Sequence, residues 1–123
     1  MIKKNDWLGL SPDGIVADEN TMADDIRKAV EIKCPEPKAF VRYMIQNKIP
    51  DEYKWQVVMY FIVIDTLEEL DFIIYNPEIY DEDYRMHVIN VKREDLQEEI
   101  QKAEEAIKEF RKEWVETIKT FTK

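Results

Sequence analysis

The sequence predicts a small α/β or α+β sheet domain, on three observations. Short apolar or alternating runs are closed by Pro or Asn-Pro, the punctuation of strands. Two stretches between Pro37 and Asp65 carry apolar residues at helical spacing. From Arg93 to Phe121 one unbroken helical repeat closes the chain.

Taken in order, Trp7–Leu10 reads as a short strand ending at the turn Ser11-Pro12, and Asp13–Asp18 resumes extended through Ile15 and Val16. Glu19–Asp25 is a polar connection. Lys28–Cys34 alternates apolar with charged residues and stops at Pro35, a strand of period two that forms a hairpin with the one before it. Ala39, Phe40, Tyr43 and Met44 then mark a first helix, broken at Ile49-Pro50. Asp51 suits an N-cap, and Tyr53–Asp65 is apolar on most sides, as a buried helix is. Leu70–Tyr75 and Met86–Val91 are strands. The last helix carries a seam of Leu96, Ile100, Ala103, Ile107, Phe110, Trp114 and Phe121. That seam reads as a helix lying on the sheet, ahead of an oligomerising coiled coil.

Composition bounds the function. The chain has 123 residues and suits one domain, 1–123, around one core. With 45% hydrophobic and 37% charged residues it is not a disordered tail. The longest apolar run, Val57–Ile64, falls far short of the roughly 20 residues that cross a bilayer. The start, Met1-Ile2-Lys3-Lys4, has no apolar stretch of a secretory signal. One cysteine, Cys34, excludes an internal disulfide and any four-cysteine metal cluster. These features predict a cytoplasmic protein with no membrane association. Eighteen Lys plus Arg against 27 Asp plus Glu give a net charge of −9, which argues against a broad electrostatic grip on nucleic acid.

Two strings carry the chemistry: Ser11-Pro12-Asp13-Gly14 and Glu31-Ile32-Lys33-Cys34-Pro35. On a strand Glu31 and Lys33 share a face, so Val30 and Ile32 are expected to face the core. Hairpin pairing lets Asp13 meet Glu31. Two carboxylates with a backbone carbonyl make a hard oxygen site of the kind Mg²⁺ or Mn²⁺ uses, and a neighbouring lysine can orient water. Gln56 and Tyr60, four apart on one helix face, need polar partners if buried. Each feature alone has a plain structural reading: a solvated strand, an Asp-Gly turn, an amide on nearby backbone.

Together these residues resemble the PD-(D/E)xK nuclease superfamily, and within it the phage-type exonucleases of the lambda exonuclease/YqaJ group. The likeness rests on Leu10–Gly14, Val30–Pro35, Ile49-Pro50 with Tyr53, Gln56 and Tyr60, and the strand Leu70–Tyr75. It implies a restriction-endonuclease-like core, a central mixed β-sheet flanked by helices with a long C-terminal helix. It further implies Mg²⁺- or Mn²⁺-dependent hydrolysis of DNA phosphodiesters, 5′-to-3′ from duplex ends, in phage-type recombination. Asp13, Glu31 and the Ile32 carbonyl would hold the metal, Lys33 would position the nucleophile, and Gln56 and Tyr60 would support the site. DNA, a single-strand annealing protein and a homotrimer are the partners implied. Members of the group carry a helical segment before the Ser-Pro-Asp-Gly strand; here twelve residues precede Asp13, with Lys3 and Lys4 their only basic ones, so such a segment is expected to be missing.

The rival reading is a catalytically incomplete nuclease fold that binds a partner or oligomerises through the Leu96–Phe121 seam. A restriction-type endonuclease ranks lower, because no base-reading element is recognisable. Among smaller signals, Lys38, Arg42, Lys48 and Lys54 could line a phosphate backbone or be ordinary solvated charges. Asp81-Glu82-Asp83 is an acidic turn, and His87 is a strand residue. Cys34 is expected to pack, and Trp55 and Trp114 to sit in the core rather than stack on bases.

Overall fold

A computed structural model describes residues 2–5, 8–16 and 25–121. Two hydrogen-bonded sheets are present among them. Strands β1 (Ile2–Asn5) and β2 (Leu8–Leu10) pair antiparallel as a small separate ribbon. The main sheet has the order β3 (Gly14–Val16), β4 (Lys28–Lys33), β5 (Glu69–Tyr75), β6 (Met86–Lys92). Pairing is antiparallel for β3 with β4, parallel for β4 with β5, and antiparallel for β5 with β6, so the sheet is mixed as expected. The parallel pair requires a crossover, supplied by helices α1 (Pro37–Gln46) and α2 (Lys54–Val63). Helix α3 (Gln97–Phe121) ends the described chain.

Local chemistry explains most boundaries. Pro37 opens α1 at a position where a missing N–H costs nothing, and Asn47 closes it in the left-handed conformation (φ 50°). Asp51 opens a short 3-10 turn, Asp51–Tyr53, rather than capping α2, whose N-cap is Tyr53. The acidic turn is structural: the Asp81 carboxylate accepts the Asp83 N–H at 3.0 Å. β1 escapes a reading of the sequence because Lys3-Lys4-Asn5 shows no alternation. Trp7 and most of the Glu19–Asp25 connection lie outside the described residues.

Which face of β4 meets the core differs from expectation. Register pairs Ala29 with Leu70, Glu31 with Phe72 and Lys33 with Ile74, and this face is the one α2 covers. Glu31 is only 5% exposed, whereas Ile32, on the opposite face beside Ile73, is 46% exposed. On β5 this is the apolar face, Leu70, Phe72 and Ile74, while the opposite face carries Glu69 and Asp71. What decides is that α2 brings hydrogen-bond donors as well as methyl groups.

The core gathers Ala29, Leu70, Phe72, Ile74, Ile89 and Val91 from the sheet with Phe40 of α1 and Val57, Val58, Phe61 and Ile62 of α2. Helix α3 packs principally on α2, not on the sheet, through buried Ile100 and half-buried Ala103 and Ile107, with Leu96 just before it packed on the same core. Lys54 joins the two helices by an ion pair with Glu99 at 3.3 Å. α2 is thus sandwiched between sheet and α3, which is why it is apolar almost all round. Beyond Ile107 the seam leaves the core: Phe110, Trp114 and Phe121 are exposed, with the Phe110 and Trp114 rings stacked at 6.5 Å. Trp55 is exposed as well, so neither Trp55 nor Trp114 is a core residue.

One side chain ties the end of α2 to the start of α3. The Arg93 guanidinium donates to the carbonyls of Leu67 (2.7 Å), Phe61 (2.8 Å), Ile64 (3.0 Å) and Asp65 (3.2 Å). It satisfies carbonyls that the helix end leaves without intrahelical partners. Arg93→Ala is expected to cost about 2–4 kcal/mol of stability, since charged hydrogen bonds are lost and carbonyls are left bare. Urea unfolding with an unchanged slope and a lowered midpoint is the outcome to look for.

Candidate active site

The site forms where β4 leaves the sheet. Glu31 projects from β4 toward α2 and ends up buried, and a buried carboxylate is tolerated only when its oxygens are hydrogen-bonded or paired. Three donors reach it. Gln56 Nε2 donates to Glu31 Oε1 at 3.0 Å, Lys33 Nζ lies 3.2 Å from the same oxygen, and the Tyr60 hydroxyl donates to Oε2. The i, i+4 spacing of Gln56 and Tyr60 puts both on the α2 face turned to β4. Among the described residues no buried side-chain nitrogen or oxygen lacks a partner.

Asp13 arrives from the other side. Gly14 pairs with Val30, so Asp13 sits just before the first paired residue of β3. Its Oδ2 accepts the Ile32 N–H at 2.8 Å, in place of the strand that would otherwise continue there. In a strand the N–H and C=O of one residue leave on the same edge, so the Ile32 carbonyl emerges beside Asp13. The chain therefore brings Asp13, Glu31, Lys33, Gln56 and Tyr60 together around Ile32. Gln56 serves Glu31 rather than nearby backbone.

Tyr60 feels this setting most. Its hydroxyl pKa is raised well above the usual 10.0, first by burial, then by its hydrogen bond to Glu31, with the Asp13 charge adding to the effect. The phenol is therefore a fixed donor at any physiological pH.

Two further residues shape the site. The Lys33 amine lies 5.1 Å from the Tyr53 ring centroid, and Tyr53 itself packs on Phe72 at 5.7 Å. Tyr53 is among the residues on which the family likeness rests, with no role assigned to it there. Asn76, 5% exposed, donates from Nδ2 to the Pro35 carbonyl at 2.8 Å and accepts the Glu78 N–H at 2.7 Å. It clasps the exits of the parallel strands β4 and β5. In the sequence it passes as a strand terminator.

Other candidates fall elsewhere. Lys38, Arg42 and Lys48 are exposed on and after α1, and Lys54 is engaged with Glu99. His87 Nε2 contacts Asn47 Oδ1 at 2.8 Å. Cys34 is exposed instead of packed.

As a cation site the donor set is two carboxylates and a carbonyl. Among the described residues no group of three or more His, Cys, Asp and Glu is placed to hold a metal ion. Two hard carboxylate ligands completed by backbone oxygen and water suit Mg²⁺, which keeps much of its hydration, better than Zn²⁺. The residues present fit such an ion.

Comparison with known proteins bears on the family and the fold. Residues 1–66 match the family described as the YqaJ-like viral recombinase domain. The fold is similar to the crystal structure of an alkaline exonuclease, LHK-Exo, from Laribacter hongkongensis, with a TM-score of 0.66 and 23% identity, over 89% of this chain and 52% of that one. The crystal structure of LHK-Exo in complex with dAMP gives a TM-score of 0.58 and 25% identity, over 88% of this chain and 54% of that one. This chain thus spans about half the length of the exonuclease chains it resembles. No curated protein matches it.

The Tyr60 environment has a pH consequence. A group whose pKa is raised on folding stabilises the fold fully below its unfolded pKa, here 10.0, and that contribution drains away as pH climbs toward the higher folded value. Urea midpoints measured at increasing pH above 10.0 are expected to fall in the unmodified chain and to fall less steeply in Tyr60→Phe. Tyr43→Phe, which removes a second raised hydroxyl beside Glu52, serves as the comparison.

Proposed function

Since this chain belongs to the YqaJ-like viral recombinase domain family, we propose that it is a divalent-metal-dependent deoxyribonuclease that digests duplex DNA from its ends, 5′-to-3′, in phage-type recombination. The observation that carries the reading is the buried Glu31 carboxylate held by Gln56, Tyr60 and Lys33, with Asp13 set against Ile32. A structural ion pair does not require that an amide, a phenol and an amine all converge on one strand carboxylate at a sheet end. A site that must keep one carboxylate oriented does.

In this reading Asp13, Glu31 and the Ile32 carbonyl hold Mg²⁺ or Mn²⁺. The ion supplies Lewis acidity toward the phosphoryl oxygen, a lowered pKa for attacking water and neutralisation of the leaving oxygen. Lys33, released from its contact with Glu31 Oε1, places its amine against the attacking water and the developing charge on phosphorus. Gln56 and Tyr60 are positioning residues that fix the Glu31 carboxylate and do not touch DNA. Tyr53 and Phe72 keep the Lys33 stem from swinging into solvent. Hydrolysis adds water across one P–O bond and leaves a phosphate on one fragment and a hydroxyl on the other. The relative LHK-Exo is described in complex with dAMP, which supports a nucleoside monophosphate as product. A single-strand annealing partner and a ring-forming homotrimer belong to the same proposal by family likeness.

A second reading is a nuclease-fold module that acts through a partner. The exposed distal stripe of α3, Phe110 to Phe121, favours it.

Linear duplex DNA incubated with Mg²⁺ discriminates the two. The chain is expected to release nucleotides from 5′-labelled ends, and Lys33→Ala and Asp13→Asn to lose at least about a hundred-fold in rate. Chelation should abolish cutting and Mn²⁺ restore it. Calorimetric Mn²⁺ binding should survive Lys33→Ala and weaken in Asp13→Asn. Equal digestion by all three proteins, or none by any, overturns the nuclease reading.

A further inference from the structure

Lys33 has two partners, and they respond differently to a cation. Its amine lies 3.2 Å from Glu31 Oε1 on one side and 5.1 Å from the centroid of the Tyr53 ring on the other. With the Gln56 amide and the Tyr60 hydroxyl, it takes three of the roughly four lone-pair directions a carboxylate offers. Held this way, the ammonium is the positive charge that makes the burial of Glu31 tolerable. A divalent ion on Asp13 and Glu31 would supply that charge itself, and an ammonium kept on the same oxygen would meet a like charge at close range. Lys33 and the ion therefore compete for Glu31.

The ring stands ready for what Glu31 gives up. A Lys ammonium within about 6 Å of an aromatic centroid is attracted to the ring face, most strongly where water is excluded. The Lys33 amine is already inside that range, and its side chain is only 25% exposed. Tyr53 is also held in place. It ends the 3-10 turn before α2, its ring packs on fully buried Phe72 at 5.7 Å, and buried Tyr43 meets it edge-on at 6.4 Å. The Tyr43 hydroxyl in turn donates to Glu52 of the same 3-10 turn. Core packing accounts for the contacts with Phe72 and Tyr43. It does not require that the ring also meet the amine of the one lysine in the cluster.

We propose that Tyr53 is a positioning residue that takes over the Lys33 ammonium when a divalent cation occupies Asp13 and Glu31. Lys33 then serves twice, first as the counter-charge of Glu31 and afterwards as an amine kept beside the ion instead of lost to solvent. Cation affinity thus depends on an aromatic residue that is not itself a ligand. The inference rests on the nuclease reading for the cation and goes beyond it by linking cation loading to the Lys33–Tyr53 contact.

The test uses the full chain and Mn²⁺ alone, read by calorimetry, so that binding does not depend on turnover. Tyr53→Phe keeps the ring and is expected to bind Mn²⁺ as the parent does. Tyr53→Leu, apolar without a π-face, is expected to bind it roughly three- to tenfold more weakly. In a Lys33→Ala background Tyr53→Leu should have no further effect, because no ammonium needs a seat; a merely structural loss would persist there. In cleavage of duplex DNA at saturating Mn²⁺, Tyr53→Leu should lower kcat by a similar factor with KM unchanged, and Tyr53→Phe should retain it. Urea midpoints check that each variant is folded.

Equal Mn²⁺ affinity in the parent and Tyr53→Leu, or a loss that persists in the Lys33→Ala background, overturns the exchange and leaves the nuclease reading intact. The expected Mn²⁺ pattern in a chain that cuts nothing overturns the nuclease reading and keeps the exchange. A parent chain that binds no Mn²⁺ overturns both.

Discussion

The rest of the structure depends on burying one carboxylate. An isolated ionised carboxylate taken out of water costs many kcal/mol, and it is kept charged only by geometry that supplies several donors at once. Glu31 receives an amine from its own strand and an amide and a phenol from α2. Each donor constrains a different part of the fold. Lys33 fixes β4 as a regular strand through its last residue, because only period-two geometry keeps positions 31 and 33 on one side. Gln56 and Tyr60 fix the rotation of α2, because a turn of one residue would carry both away from the sheet.

That rotation determines the layering. With Gln56 and Tyr60 committed to β4, the opposite flank of α2 presents Lys54, Val58 and Phe61, of which Val58 and Phe61 are buried. Such a flank requires a cover, and α3 with the turn before it supplies Leu96, Ile100, Ala103 and Ile107, seated by the Lys54–Glu99 pair and the Arg93 clasp. The polar centre is therefore upstream of the hydrophobic arrangement. A core of the same apolar residues without Glu31 would leave the phase of α2 free.

Much of this was legible in the residues. Alternation in Lys28–Cys34, the breaks at Pro35, Pro50 and Pro77, and the spacing of Gln56 and Tyr60 each reflect local rules that tertiary contacts did not override. The members of the site were legible too, because carboxylate, lysine and amide at these spacings combine seldom. What was not legible depends on partners distant in sequence. The inward face of β4 was misread because Val30 and Ile32 look like core until α2 is known to bring polar groups. The exposure of Trp55 and Trp114 was misread because large apolar side chains usually find cover, and nothing local says where the cover stops. Asn76 is silent in the sequence because its role lies in a carbonyl 41 residues away.

The net charge of −9 bears on how such a site could hold DNA. Many of the cations are already engaged: Lys28 with Glu69 and Asp71, Arg27 with Glu68 and Asp25, Lys54 with Glu99, Arg93 with four carbonyls. A chain with this net charge has little long-range attraction for a phosphate backbone. In the proposed nuclease reading, binding would rest instead on groups that act at contact, among them a divalent ion between Asp13 and Glu31 that would reverse the local sign.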